Sequence, residues 1–289
     1  MKKVRMFLAE RSDSLLKEAG ISDSLLVKWK SLTNELAALG SAVIAYSGGV
    51  DSSFLAYAAS QVLGEKMVAV TIVSPVEPPD ILKTATDFAI QHGIKHETIF
   101  HDPMQNPDFR ANPADRCYHC KTMILHDLWK YARDHHYHAV LEGQNADDQS
   151  DYRPGRKAVV ETGSLSPLAH NGLKKAEIRW LSKAFGLSTW DQPSSPCLAS
   201  RIPYGTSITE KALDQIAQAE NYLHGQGFKV VRVRHHQDLA RIEIEPEQIE
   251  KLLEIREELV KFFKEIGFLY VTLDLQGYRL GSLNEGLPK

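Results

Sequence analysis

Cysteine and long apolar stretches are both scarce in this sequence. Only three of its 289 residues are cysteine, and no apolar run reaches the roughly 18 residues that a membrane-spanning helix needs. The apolar stretch at residues 6–9 is interrupted by Glu10 and Arg11 before it reaches the length of a signal peptide. We therefore predict a cytoplasmic protein without a membrane partner, whose reduced cysteines serve metal binding or catalysis and not disulfide bonds.

An excess of positive charge is also missing. The chain has 34 lysine and arginine residues against 37 aspartate and glutamate residues, which gives a formal net charge of -3 at pH 7. A protein that neutralises many phosphates needs a broad cationic surface, so we predict no nucleic-acid partner. The 43% apolar and 25% charged content is that of an ordinary globular protein, and the length favours two domains.

The first half of the chain alternates between short apolar runs and helical periodicity. Apolar residues at helical spacing predict a helix at 22–39 that ends at Gly40. Beyond it the pattern predicts strands at 43–46, 67–73, 96–100 and 139–142, separated by helices at 52–63, 79–92 and 122–133. This alternation is typical of an α/β fold with a doubly wound, mostly parallel sheet.

The pattern changes beyond Pro167. A helix is predicted at 173–185, and the segment 188–206, rich in Ser, Pro and Gly, is typical of a linker. The remaining predictions are a helix at 209–225, two β-branched runs within 230–244, a helix at 247–266 and a strand at 268–275. We therefore predict an α/β domain with a helical amino-terminal extension at 1–190, and a smaller α+β domain for substrate binding or oligomerisation at 191–289.

A glycine-containing motif lies where the first predicted strand meets the following helix. It consists of Ser47, Gly48, Gly49, Val50, Asp51 and Ser52. The glycines let the backbone approach phosphate groups, and the amino end of the helix favours negative charge, so the loop can bind polyphosphate. Ser47 and Ser52 can donate hydrogen bonds, and Asp51 can hold Mg²⁺. The alternative interpretation is an ordinary glycine turn with an Asp-Ser cap.

The same motif separates this chain from two other nucleotide-binding classes. It lacks the lysine of the Walker loop, and its glycine spacing differs from the dinucleotide-binding pattern. It resembles the pyrophosphate loop, or PP loop, of the N-type ATP pyrophosphatases, which cleave ATP between its α and β phosphates. The motif therefore predicts an ATP site.

The three cysteines form a close pair and a distant partner. Cys117 and Cys120 are three residues apart, and Cys197 follows Pro196 far along the chain. Thiolates are soft ligands that suit iron-sulfur clusters and zinc. Three of them can hold a 4Fe-4S cluster with one open iron, or they can bind zinc with His119 or another histidine as the fourth ligand. As a third alternative, Cys197 carries sulfur in dithiol or persulfide chemistry; we favour the cluster.

Further segments resemble the LarE family, the ATP-dependent sulfurtransferases of nickel-pincer nucleotide cofactor synthesis. These segments are Glu142–Gly143, Asp151–Gly155, Ser200–Thr206 and Val231–His235. The resemblance extends from about Leu39 to Asp274 and so covers most of the chain. The PP loop alone marks a superfamily, whereas these segments in combination are much more specific.

The resemblance implies a reaction and its cofactors. A carboxylate of pyridinium-3,5-biscarboxylic acid mononucleotide is adenylylated by ATP with Mg²⁺, pyrophosphate is released, and sulfur displaces AMP to leave a thiocarboxylate. Many members of the family have only the cysteine that matches Cys197, which gives up its own sulfur. Because Cys117 and Cys120 are also present, the chain resembles the members that carry a three-cysteine 4Fe-4S cluster and pass on a cluster-bound sulfide. The resemblance also implies a homo-oligomer and leaves the sulfide donor unidentified.

The resemblance assigns Gly143 to the nucleotide site and two arginines to the binding of anionic substrate groups. Arg232 and Arg234 alternate with valines, so both project from the same face of a strand, where they can bind phosphate or carboxylate. The alternative is that these arginines pair with Glu243 or Glu245 on the neighbouring strand.

Three more residues are assigned to the substrate. Lys121 and Arg201 each lie close in sequence to a candidate ligand cysteine, where they can attract an anionic substrate or stabilise thiolate. Glu220 corresponds to an acidic family position near the substrate. Ordinary surface positions are the alternative for all three, since an exposed glutamate is the common case on a helix.

Two rival functions remain from the sequence. A tRNA thiolase joins the same ATP chemistry and cysteine-bound cluster to a nucleobase, but it predicts a basic groove and further zinc knuckles that the composition does not supply. A non-catalytic adenine-nucleotide sensor predicts binding without cleavage of ATP. The formation of AMP and pyrophosphate distinguishes the enzyme from the sensor.

Overall fold

The computed structural model describes residues 12, 14–149, 155–193, 195–279 and 281–283. Residues 6–11, used above to exclude a signal peptide, and residues 151–154, part of one segment that resembles LarE, lie outside the described residues. The chain forms two compact units. The first comprises residues 1–74, 79–101 and 117–195, and the second comprises residues 75–78, 102–116 and 196–289.

Within the described residues, residues 14–18 are helical, and the seven strands and eleven further α-helices beyond them are numbered here. In chain order they are α1 (Asp23–Leu39), β1 (Ala42–Ala45), α2 (Val50–Leu63), β2 (Met67–Val73), α3 (Asp80–Gln91), β3 (His96–Phe100), α4 (Pro107–Arg110), α5 (Arg116–Asp134), β4 (Ala139–Leu141), α6 (Gly155–Thr162), α7 (Pro167–His170), α8 (Lys175–Ala184), α9 (Glu210–Gly225), β5 (Val231–His236), β6 (Leu239–Ile244), α10 (Ile249–Glu254), α11 (Arg256–Glu265) and β7 (Tyr270–Leu273).

The first unit is built on a four-stranded parallel sheet in the order β3-β2-β1-β4. Alternate strand residues enter two separate apolar cores, as the pleat requires. Ala42 and Ile44 of β1 join the core formed with α1, α2 and α8, whereas Val43 joins the core formed with α5 and α6. The predicted α/β fold with helices on both faces of a parallel sheet is therefore confirmed.

Two predicted helices have different bounds in the structure. Helix α5 begins at Arg116, not near Thr122, so Cys117 and Cys120 lie in its first two turns. Its buried apolar residues begin only at Leu125, because the first turns are mostly polar or carry cysteine. The helix predicted at 247–266 is divided at Ile255 into α10 and α11.

The second unit contains a three-stranded sheet in the order β5-β6-β7. Strands β5 and β6 form an antiparallel hairpin, and β7 pairs parallel with β6. One face of this sheet carries Val231 and Val233 into an apolar core with α9 and α11. The opposite face carries Arg232 and Arg234. The two runs predicted within 230–244 are strands β5 and β6, and only Gln237 and Asp238 separate them.

The predicted domain boundary between 190 and 191 lies near the start of the last segment of the second unit. Two short segments of the α/β half, 75–78 and 102–116, also belong to that unit. They follow the carboxyl ends of β2 and β3. Among the described residues, no helix is long and apolar enough to cross a membrane.

Candidate active site

The PP loop connects β1 to α2 through two glycines of different conformation. Gly48 has a φ of 73°, and a Cβ placed there would lie 3.2 Å from the Cβ and the amide nitrogen of Ala85 on α3. A side chain at this position would be strained by the backbone conformation and crowded by Ala85. Gly49 is the amino-terminal cap of α2 and has no side chain to bond the first-turn amides, which suits an anion site.

The two serines of the loop differ in their surroundings. Ser52 is buried, and its hydroxyl donates to the carbonyl of Gly49 at 3.1 Å and accepts from the amide of Ser47 at 3.2 Å. The Ser52 side chain thus holds the loop closed on itself. Ser47 is exposed, and its hydroxyl lies 3.1 Å from that of Ser52. That either serine binds phosphate stays a prediction.

Asp51 has one bonded and one unbonded carboxylate oxygen. Its Oδ2 accepts from Lys175 Nζ at 2.7 Å and from Asn145 Nδ2 at 3.4 Å. Its Oδ1 is buried and has no hydrogen-bond partner among the described residues. Burial raises the pKa of this carboxyl, and the Lys175 ammonium opposes that rise. A buried oxygen without a partner is a fitting ligand for Mg²⁺, which prefers oxygen.

Lys175 and Asn145 were not identified from the sequence. Lys175 is the first residue of α8 and lies 124 positions from Asp51, so no local spacing connects the two. Its backbone amide donates to Asp147 Oδ2 at 2.8 Å, which fixes the start of α8 beside Asp147. The PP loop lacks a Walker lysine, and the structure places the Lys175 ammonium beside it.

Gly143 allows the chain after β4 to pass close to the start of α2. A Cβ at this position would lie 3.0 Å from the amide nitrogen of Ser52 and 3.2 Å from its Cα. The residue before it, Glu142, is buried and accepts from Lys121 Nζ at 2.7 Å and from the hydroxyl of Ser166. The charge of Lys121 is thus opposed by Glu142. The assignment of Lys121 to the substrate stays a prediction.

The three cysteines form no disulfide bond and belong to two different units. Cys117 is exposed and Cys120 is half-buried, and their spacing places them on one face of α5. Cys197 is half-buried and precedes a 3₁₀ helix at Leu198–Arg201 in the second unit. Soft thiols suit iron-sulfur or zinc ligation. Among the described residues, however, no group of three or more His, Cys, Asp or Glu side chains is close enough to hold a metal ion.

A buried ion pair anchors the loop that carries Cys197. The guanidinium of Arg201 is 1% exposed, donates to Glu220 through Nε at 3.0 Å and through Nη2 at 2.7 Å, and also donates to the carbonyls of Pro196 and Cys197. Glu220 Oε1 accepts in addition from the amide of Val233 at 3.0 Å. The alternative that Arg201 and Glu220 occupy ordinary surface positions is wrong, because both residues are buried and form an ion pair with each other.

Glu77 is a second acid of this region that the sequence did not single out. It lies in the short segment 75–78, whose Val76 carbonyl accepts from the amide of Leu198 at 2.7 Å. Burial raises the pKa of Glu77 to about 7, and the positive charge of Arg201 acts against this rise. Glu77 is therefore an acid that changes its protonation near neutral pH beside the Cys197 loop.

The two arginines of β5 have different partners. Arg234 Nη2 donates to Glu243 Oε2 at 2.7 Å and to Ser282 Oγ at 2.9 Å, and its Nη1 donates to the carbonyl of Ser200 at 3.1 Å. The pairing with Glu243 proposed as the alternative is thus present, but it is buried. Arg232 packs over the ring of Tyr278, with 5.4 Å between its Cζ and the ring centroid. Burial, followed by the charge of Arg201, lowers the pKa of Arg232.

Comparison with known proteins agrees with this architecture. The family model described as NAD synthase matches residues 27–110, which include the PP loop. An uncharacterized protein of Synechocystis is 46% identical over 91% of this chain and 98% of that protein. The pyridinium-3,5-bisthiocarboxylic acid mononucleotide synthase of Lactiplantibacillus plantarum is 34% identical over 92% of this chain and 97% of its own length. An uncharacterized protein of Methanocaldococcus jannaschii is 30% identical over 88% of this chain.

The parallel sheet, the glycine loop at the start of α2 and the matched family model define an enzyme of the PP-loop class that uses ATP. Within that class the relatives are more specific, since one characterised synthase is matched along nearly its whole length. The chain belongs to the LarE family of PP-loop sulfurtransferases.

Proposed function

We propose that this protein converts a carboxylate of pyridinium-3,5-biscarboxylic acid mononucleotide into a thiocarboxylate in an ATP-dependent reaction. The observation that carries the proposal is the PP loop, where a buried Asp51 oxygen and the Lys175 ammonium lie beside the glycine-capped start of α2. The relation to the Lactiplantibacillus plantarum synthase supports the substrate class.

The first step is the transfer of AMP to the substrate. A carboxylate oxygen attacks the α-phosphorus of ATP, the bond from that phosphorus to the bridging oxygen of the β-phosphate breaks, and pyrophosphate leaves. Lys175 and the amino end of α2 offset the negative charge that develops on the phosphates. Asp51 would hold Mg²⁺, which neutralises phosphate charge when it is bound. Ser47, Gly48, Gly49, Ser52 and Gly143 complete the proposed nucleotide site.

The second step replaces AMP by sulfur. A sulfur nucleophile attacks the acyl carbon, a carbon–sulfur bond forms, and the carbon–oxygen bond to AMP breaks as AMP leaves with the electron pair. A carboxylate oxygen by itself is a poor leaving group, so the adenylate divides one difficult step into two easier ones. We place Cys197 at the sulfur end of this reaction. Arg232, Arg234, Lys121, Arg201 and Glu220 remain our candidates for binding or orienting the substrate.

We further propose that Cys117, Cys120 and Cys197 hold a 4Fe-4S cluster, which when bound supplies an open iron for an extra sulfide. None of the three forms a disulfide bond, and Cys117 and Cys120 lie on one face of α5. Zinc at the same thiols, or Cys197 alone as a sacrificial or persulfide donor, are the alternatives. A cytoplasmic homo-oligomer is the form in which we expect the protein to act.

The test combines a reaction assay with an analysis of bound iron. Anaerobically purified protein is incubated with ATP, Mg²⁺ and the pyridinium nucleotide; AMP and pyrophosphate are quantified, and the thiocarboxylate is detected by mass spectrometry. We expect AMP and pyrophosphate in equal amounts and a product with oxygen replaced by sulfur. ATP that stays intact with this substrate present would contradict the proposed function.

Iron and acid-labile sulfide are measured in parallel on the wild type and on Cys197→Ala. We expect about four irons per chain with matching sulfide in the wild type, and loss of both in the variant. Protein that stays iron-free after anaerobic reconstitution would refute the cluster, but the proposed ATP reaction would be unaffected by this result. A Cys197 residue that loses the mass of H₂S after one turnover would indicate sacrifice of its own sulfur.

A further inference from the structure

The C-terminal segment, meaning residues 274–279 and 281–283, follows β7 and is bonded to the backbone of β6. The amide of Asp274 donates to the carbonyl of Ile242 at 2.9 Å, and the amide of Tyr278 donates to the carbonyl of Ile244 at 2.8 Å. Both acceptors are on β6, next to the strand that carries the two arginines. Backbone hydrogen bonds therefore hold this segment at a fixed position on the sheet.

A glycine lets the segment come this close. Gly277 has a φ of 69°, and a Cβ at this position would lie 2.7 Å from the carbonyl oxygen of Ile244. Backbone oxygen cannot move aside as a flexible side chain can. The approach of the segment to β6 therefore depends on the absence of a side chain at residue 277.

Two side chains of the segment contact the two arginines of β5. The ring of Tyr278 lies under the guanidinium of Arg232, within the distance of a cation–π contact. The hydroxyl of Ser282, which is buried, accepts from Arg234 Nη2 at 2.9 Å and donates to Glu243 Oε1 at 2.8 Å. The C-terminal segment thus provides one side-chain contact to each of the two arginines that are assigned to the substrate.

These contacts orient Arg234 in a particular way. Its Nη1 and Nη2 bond Ser200, Glu243 and Ser282, whereas its Nε is buried and has no hydrogen-bond partner in the part of the chain that the structure describes. Ser282 also bonds the carboxylate of Glu243, so it fixes both members of the ion pair. The Nε–H group is a donor that an anionic group of a ligand can use.

We propose that Tyr278 and Ser282 are positioning residues that orient Arg232 and Arg234 for an anionic group of the substrate. This inference rests on the proposed function, in which a pyridinium nucleotide supplies the phosphate and carboxylates. The two residues act through the arginines, so they affect the binding of this nucleotide and leave the binding of ATP unchanged.

The experiment compares Tyr278→Leu with Tyr278→Phe and the wild type. Leucine keeps apolar bulk and removes the π system, whereas phenylalanine keeps the ring and removes only the hydroxyl. We expect Tyr278→Leu to raise the KM for the pyridinium nucleotide about three- to tenfold, in line with the loss of a cation–π contact. Tyr278→Phe is expected to behave as the wild type, and the KM for ATP is expected to stay unchanged in both variants.

Ser282→Ala is the second variant. Tyr270→Ala is the control at the surface of the same sheet, since Tyr270 is 63% exposed on β7. We expect Ser282→Ala to weaken the binding of the pyridinium nucleotide in calorimetry while Tyr270→Ala does not. Thermal melting of every variant establishes that the fold is intact.

Two outcomes overturn the inference in distinguishable ways. If the wild type turns over the nucleotide and both Tyr278→Leu and Ser282→Ala keep its KM and Kd, the inference alone is wrong. If the wild type neither binds nor adenylylates the nucleotide, the proposed function fails and the inference fails with it.

Discussion

At the scale of single residues, the arrangement around Asp51 places a cation beside a loop that has no lysine of its own. The Walker loop contains a lysine at a fixed spacing, whereas here the cation enters from the start of α8. Lys175 lies 2.7 Å from one oxygen of Asp51, and the other oxygen is buried without a partner among the described residues. The Lys175 ammonium and the carboxylate that we propose as the Mg²⁺ ligand are thus in direct contact.

Replacing Lys175 by Gln should therefore reduce catalysis more than stability. We expect the rate of pyrophosphate release to fall by about 100-fold, as for the loss of one charged contact to a reacting group. The measurement is a pyrophosphate-release assay with saturating substrate, together with a thermal melt. The exposed neighbour Lys174 is the control, and Lys174→Gln should keep the wild-type rate. Equal rates for Lys175→Gln and the wild type would remove Lys175 from the phosphate site.

Glu77 predicts an unusual pH dependence of stability. Burial raises the pKa of Glu77 in the folded protein from its ordinary value of 4.5 to about 7, so between these two values the folded state binds a proton that the unfolded state has released. Stability must then fall as pH rises through this window. Glu77→Gln cannot ionise. The free energy of unfolding of this variant should therefore increase relative to that of the wild type from pH 4.5 to 7, and the difference should stay constant above pH 7. A constant difference between pH 4.5 and 8 would show that Glu77 titrates normally.

At the scale of secondary structure, the sequence predicted those elements whose periodicity is unbroken. The runs at 43–46 and 67–73 became β1 and β2, because residues that alternate between two apolar cores must all be apolar. The start of α5 was missed by six residues, because its first turns carry Arg116, the two cysteines and His119 instead of apolar residues. Because these first turns are polar, apolar periodicity does not show where the helix begins.

A buried ion pair connects the loop that bears Cys197 to one helix and one strand. Arg201 bonds the loop carbonyls, and Glu220 of α9 bonds both Arg201 and the amide of Val233 on β5. Glu220→Gln leaves the Arg201 charge buried without its partner, which typically costs about 3–5 kcal/mol. We expect a loss of that order in the free energy of unfolding and faster alkylation of Cys197.

Urea unfolding and iodoacetamide labelling followed by peptide mass spectrometry measure these two effects. Glu210→Gln is the control, because Glu210 is an exposed residue of the same helix. Unchanged stability together with unchanged labelling in Glu220→Gln would mean that the loop is held by other contacts.

At the scale of the whole molecule, the limit of sequence reasoning is the distance between partners along the chain. The PP loop was predictable because its residues are consecutive. The contacts of Asp51 with Lys175 and of Arg234 with Ser282 join residues 124 and 48 positions apart, and only the folded chain brings them together. The burial of Arg201 and Glu220 was missed for the same reason, since charged residues are rarely buried unless they are paired.

The same burial favours the proposed function over a tRNA thiolase. The chain has more acidic than basic residues, and Arg201, Arg232 and Arg234 are buried, two of them in ion pairs with carboxylates. Arginines held in this way do not add to a surface that neutralises RNA phosphates. We expect that tRNA neither stimulates AMP formation nor binds tightly in filter-binding assays at about 0.15 M salt, whereas the pyridinium nucleotide stimulates AMP formation. AMP formation that requires tRNA, with a thiolated nucleoside in the digested product, would reverse this assignment.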